Sequence, residues 1–144
     1  MFSKTCEYGI KAVIYIAVQS HKGNRVSLKS IAKEINSPEA FTAKILQQLV
    51  KNELIGSVKG PNGGFEIERE RMPEIRLSQI VSALDGDSVF KGCGLGLKDC
   101  SEAHPCPVHH KFKKIRTDLR NMLENTTLLE LSRGLEKGLT FLKV

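Results

Sequence analysis

The sequence predicts a mainly α fold with one small β-hairpin. Three observations carry that expectation. Apolar residues recur at helical spacing through most of the chain. One glycine-rich turn separates two short β-prone runs. A long apolar seam follows nearer the C-terminal end. With 144 residues, 40% hydrophobic and 26% charged, the composition is that of an ordinary globular domain. No stretch approaches 18 consecutive apolar residues, so no membrane span is expected.

Residues 5–20 carry Ile10, Val13, Ile14 and Ala17 on one helical face, with Tyr8 and Ile16 adding bulk; Gly23 stops the run. Ser27 is a good N-cap for a second helix bearing Leu28, Ile31, Ala32 and Ile35. Ser37 can cap the third, Pro38 fits its first position, and Glu39 suits the positive end of its dipole. Phe41, Ile45, Leu46 and Leu49 form the inner face of that helix. Ala40, Lys44, Gln47 and Lys51 form the outer one. Two short helices, the second with a basic outer face, make a helix-turn-helix pattern.

Runs 54–59 and 65–68 read as strands joined by Gly60, Pro61, Asn62, Gly63 and Gly64, a hairpin placed where a wing belongs. A fourth helix over 77–84 ends at Asp85 and Gly86. Further on, Phe112, Ile115, Leu119 and Met122, with Leu123 beside it, step by 3, 4, 3. The winged helix leaves this long helix little core to cover, so the seam is expected to be a homodimer interface. Thr127 and Glu130 open a last helix with Leu131 and Leu135. The expected organisation is a winged helix-turn-helix over 1–86, a loop over 87–107, and a dimerisation helix with a C-terminal helix over 108–144.

The formal net charge of +6 permits a nucleic-acid partner. Helix-turn-helix and wing together make double-stranded DNA the expected one, and a two-fold dimer matches a palindromic operator. The candidate contacts are Ser37, Ala40, Thr42, Lys44, Gln47 and Lys51 on the recognition helix, and Lys59, Asn62 and Gly63 on the wing. Lys44 and Lys51 suit phosphates, whereas Gln47 can pair with an adenine edge.

Three of the four cysteines and three of the four histidines fall within 93–110, spaced C-x6-C-x5-C-x2-H. The N-terminus lacks the features of a secretory leader, so a reducing cytoplasm is expected, where such a cluster reads as a metal or redox site. Zinc knuckles favour C-x2–4-C; these longer spans suit a bulkier iron–sulfur cluster. Cys93, Cys100 and Cys106 leave one position of a four-ligand [2Fe–2S] centre. His109 is within the loop's reach, with His104 and His110 nearby. Cys6, on the first helix, reads as a packed small residue. The rivals are a thiol/disulfide or zinc-stabilised winged helix, and one that docks a protein instead of DNA. No nucleophile–base pair, P-loop or dinucleotide fingerprint points to an enzyme.

The chain resembles the IscR/NsrR/CymR-type (Rrf-two) family of bacterial winged-helix transcription regulators. The resemblance rests on Tyr8 and Ala12, on the run starting at Val26, on the wing from Lys59 to Phe65, on residues 80–86 and on the three-cysteine loop. It implies a homodimeric regulator, more usually a repressor, with one [2Fe–2S] cluster per subunit on Cys93, Cys100 and Cys106. In IscR-like members a histidine at the position of His109 is the fourth ligand. In NsrR-like members a carboxylate from the partner's first helix serves, and Glu7 falls about there. The first cysteine interval is one residue longer than the x5 common in IscR-like members.

Overall fold

Serine hydroxyls start the first two helices. In the computed structural model, which describes residues 1–143, Ser3 Oγ accepts from Cys6 N–H at 3.1 Å at the head of α1 (Lys4–His21). Ser27 Oγ accepts from Ser30 N–H, also at 3.1 Å, at the head of α2 (Leu28–Glu34). α3 (Glu39–Lys51) starts differently, with Pro38 as an N-cap that offers no side-chain acceptor. Ser37, expected to cap, lies one residue further out, and its hydroxyl is hydrogen-bonded to Thr42 Oγ1 at 2.9 Å.

These helices and α4 (Leu77–Asp85) share one core that includes Val13, Ile16, Ile31, Ile45, Leu49, Ile80 and Val81. Three of them converge at Gly9. A Cβ there would stand 2.1 Å from Leu84 Cδ1 and 3.4 Å from Ile45 Cγ2, so a missing side chain sets how closely α3 and α4 approach α1. α4 stops at Gly86, where φ is +72°.

The hairpin pairs β1 (Gly56–Val58) with β2 (Gly64–Glu66) antiparallel, Ser57 opposite Phe65. β1 starts later than the predicted run because Leu54 and Ile55 turn into the core. Val26 bridges to β2 as well, exchanging both backbone hydrogen bonds with Phe65, at 3.1 and 2.8 Å. Gly64 makes this possible: its φ is +137°, and a Cβ would meet Val26 O at 2.7 Å.

A short helix, α5 (Ser88–Lys91), occupies the start of the predicted loop. α6 (His109–Asn125) follows the cysteines, and α7 (Leu128–Glu136) is capped by Thr127 Oγ1 accepting from Glu130 N–H at 3.1 Å. α7 returns to pack on α1. The junction before it is tied to the segment between wing and α4. Leu77 N–H donates to Thr126 O, and Leu128 N–H to Ile75 O, both at 2.9 Å.

α6 lies against α4 and α5, and this corrects part of the predicted seam. Its inward stripe is His109, Phe112, Arg116, Leu119 and Leu123, stepping 3, 4, 3, 4. Leu123 is 0% exposed and belongs to this chain's own core, not to a free interface. Phe112 is half-buried against the cysteine loop; a Cβ on Gly94 would come within 2.5 Å of its ring. Leu119 is half-buried against the core. Only Ile115 and Met122 of the five point outward, 59% and 47% exposed. Leu123→Ala should therefore destabilise the chain by about 2–5 kcal/mol in urea unfolding; a loss below about 1 kcal/mol would contradict its place in the core.

Candidate cysteine loop and DNA-facing surface

The outer face of α3 presents Ala40, Lys44, Gln47 and Lys51 to solvent. Thr42 does not join them. It is 0% exposed, and its hydroxyl donates to Pro38 O at 2.9 Å, so its expected role at the DNA surface is corrected to an internal one. Ser37 is half-buried and engaged by Thr42. On the wing, Lys59 and Asn62 are exposed. Gly63 has a structural reason of its own: a Cβ would stand 2.1 Å from Val58 O. Among the described residues, Lys44, Lys51 and Lys59 make no ion pair.

Sequence reasoning missed Arg25. Its Nε donates to Glu66 Oε2 at 2.8 Å and its Nη1 to Asn62 O at 3.2 Å, bracing the wing tip. Arg25 gains this place from the pairing of Val26 with Phe65, which no local pattern announces. A second link joins the reading head to the rest: Gln48 Nε2 donates to Ala83 O at 2.6 Å, fastening α3 to the end of α4.

The cysteine loop lies along the N-terminal half of α6. Cys100 Sγ is 3.4 Å from His109 Nδ1 and 3.4 Å from Arg116 Nη2. Arg116 Nη1 also donates to Gly92 O, and Lys113 pairs with Glu102. Arg120 sits 5.3 Å over the Phe90 ring of α5. Cys106 O accepts from His109 N–H at 3.0 Å as α6 begins. Cys93 Sγ accepts from Leu95 N–H at 3.4 Å, and backbone N–H groups of Leu95 and Leu97 hold its thiol below the usual range. Cys6 is the opposite case. Burial, and then the carboxylate of Asp85, push its thiol up to about 12.

His109 is 4% exposed, and its Nε2 is buried without a hydrogen-bond partner. His104 and His110 are exposed. Glu7, in the first turn of α1, pairs with Lys4 at 3.1 Å. The fold thus brings Cys100 and His109 together. Among the described residues no three Cys, His, Asp or Glu side chains converge on one metal position. The donor chemistry nevertheless fits a thiolate-ligated iron–sulfur centre. The soft sulfur of Cys100, an orphaned buried imidazole nitrogen and the guanidinium of Arg116 suit a group of net negative charge; Lys91, Lys113 and Arg120 also line the site, paired with Asp87, Glu102 and Glu124.

The family profile described as "Rrf2: Iron-dependent Transcriptional regulator" matches residues 2–134. The chain belongs to the Rrf2 family of transcriptional regulators. An HTH-type protein of Aquifex aeolicus (strain VF5) is 32% identical over 141 residues, covering 96% of each chain. The regulator IscR of Sodalis glossinidius (strain morsitans) is 28% identical, over 86% of this chain and 73% of its own. The structure of CymR, the global cysteine regulator of B. subtilis, superposes with a TM-score of 0.76 over 92% of this chain and 96% of its own; at 24% identity it supports the winged-helix fold. The Rrf2 chain is a regulator and not an enzyme, and among its described residues no helix is long and apolar enough to cross a membrane.

The thiol environments give a direct expectation. In cluster-free, reduced protein at pH 8, Cys93, Cys100 and Cys106 should react promptly with a chromogenic disulfide reagent, and Cys6 only once denaturant is added. Four thiols titrating in a single native phase would contradict the burial of Cys6.

Proposed function

We propose that this Rrf2 regulator is a dimeric DNA-binding repressor whose DNA affinity is set by a [2Fe–2S] cluster, one per subunit. The observation that carries the reading is the pairing of Cys100 with buried His109, whose Nε2 has no partner, beside the guanidinium of Arg116 and within a three-cysteine loop. Cys93, Cys100 and Cys106 would hold the cluster, with His109 as the fourth ligand and Glu7 of a partner subunit as the alternative. When bound, the cluster supplies one-electron redox chemistry and a chemical sensitivity to oxidants, nitric oxide or iron–sulfur supply. The likeness to IscR regulators is in keeping with this reading, and the likeness to the cysteine regulator CymR with a cluster-free one.

This chain's own residues do the reading of DNA. Ala40, Lys44, Gln47 and Lys51 face outward on α3, and Lys59 and Asn62 on the wing. Lys44 and Lys51 neutralise phosphates, and Gln47 reaches a base edge. Ile115 and Met122, exposed on α6, are the apolar residues left to meet a second copy. A palindromic operator would then present two half-sites about one helical turn apart. A second reading, a thiol-responsive regulator without a cluster, draws support from the lowered thiol of Cys93.

Anaerobic purification should give a coloured protein with iron and sulfide in equal amounts, and Cys93→Ser, Cys100→Ser and Cys106→Ser should each bleach it. A colourless, iron-free protein after reconstitution would sink the cluster and favour the thiol reading. Lys44→Ala should lower the slope of log affinity against log salt by about one phosphate's worth; an unchanged slope would remove Lys44 from the DNA contacts.

A further inference from the structure

Arg116 has no part in the expected ligand set, yet it touches the cysteine loop twice. One guanidinium nitrogen, Nη1, donates to the carbonyl of Gly92, just before the first cysteine. The other, Nη2, lies 3.4 Å from Cys100 Sγ. The two contacts bracket the long first cysteine interval. Gly92 is itself confined, since a Cβ there would stand 2.8 Å from Ser88 O. The helix side of the contact is equally fixed. Arg116 lies on the inward stripe of α6, between Phe112, which the loop covers at Gly94, and Leu119, packed on the core. The planar fork of arginine can hold two acceptors at once, which an ammonium on a flexible stem does not reproduce.

We infer that Arg116 is a positioning residue of the cluster site: its fork fixes the sulfur of Cys100 on α6 and raises the reduction potential of the cluster that sulfur helps to hold. The inference rests on the cluster reading and deepens it. The physical reason is charge. One-electron reduction adds negative charge to the cluster, and a fixed cation donating to a ligand sulfur stabilises the reduced form more than the oxidised one. The guanidinium stays charged at any pH of interest, so it supplies a permanent effect at Cys100 Sγ.

The test compares wild type, Arg116→Gln and Arg116→Lys, each loaded anaerobically and checked for folding by far-UV circular dichroism. Mediated redox titration supplies the electron and reads the midpoint potential. Arg116→Gln should be more negative than wild type, with Arg116→Lys between them. In the cluster-free proteins, amide hydrogen exchange over 92–106 should quicken in both variants while α1–α3 stay unchanged. A folded Arg116→Gln that no longer retains the cluster would support the positioning of Cys100 alone, and the potential would then be read from Arg116→Lys, where a value equal to wild type would overturn the inference. A loaded Arg116→Gln with the wild-type potential would overturn it and leave the cluster reading standing. A wild type that never takes up iron would overturn both, and the iron count tells these outcomes apart.

Discussion

The contact between the cysteine loop and the inner stripe of α6 is the constraint on which the rest of this molecule depends. Residues 94–100 are exposed and bury no core of their own. A segment of that kind has little local stability and takes its shape from what it rests on. Here it rests on Phe112 and Arg116, with His109 closing against Cys100 and Lys113 pairing with Glu102 just beyond. The helix is in turn held at its far end, where Leu123 enters the core and Leu77 N–H meets Thr126 O. The loop is therefore mounted on a beam fixed to the winged helix.

That mounting gives a physical route for the proposed regulation. α3 is tied to α4 through Gln48 and Ala83, and α4 leads through Gly86 and α5 into the loop. Binding of a cluster has to draw Cys93 and Cys106 toward Cys100, since no three candidate ligands converge among the described residues. Moving those thiols loads the α5 and α6 ends of the loop together. If α6 pairs two copies, a small change there alters the separation of the two α3 helices, and a fixed operator spacing turns separation into affinity. A rigid core around Gly9 keeps each reading head intact while this happens.

Much of this was legible in the sequence, and the rest was hidden for identifiable reasons. The helices of the winged domain followed from apolar periodicity and from Ser27, and the wing from its glycines. The outer face of α3 was read correctly at Ala40, Lys44, Gln47 and Lys51. Thr42 was misplaced because a threonine near a helix start looks polar, whereas its hydroxyl is satisfied internally by Pro38 O and its methyl is buried. On α6 the expected seam mixed two faces, with Phe112, Leu119 and Leu123 on the inward stripe and Ile115 and Met122 pointing outward. His109 and Arg116 occupy two of the five inward positions, so the true inner face does not look apolar. Both side chains meet Cys100 there. Arg25 owed its position to a pairing between Val26 and Phe65, nearly 40 residues apart in the chain, that periodicity does not reveal.

The most direct measurement is DNA affinity with and without the cluster in one preparation. Duplexes enriched from a random pool by the loaded protein supply the probe. Fluorescence anisotropy at fixed salt, anaerobically, gives Kd for the loaded protein and for the same protein after chelation of its iron. Control of the recognition helices by the loop predicts a change of about tenfold or more, about 1.4 kcal/mol. Equal affinities for loaded and cluster-free protein would contradict it.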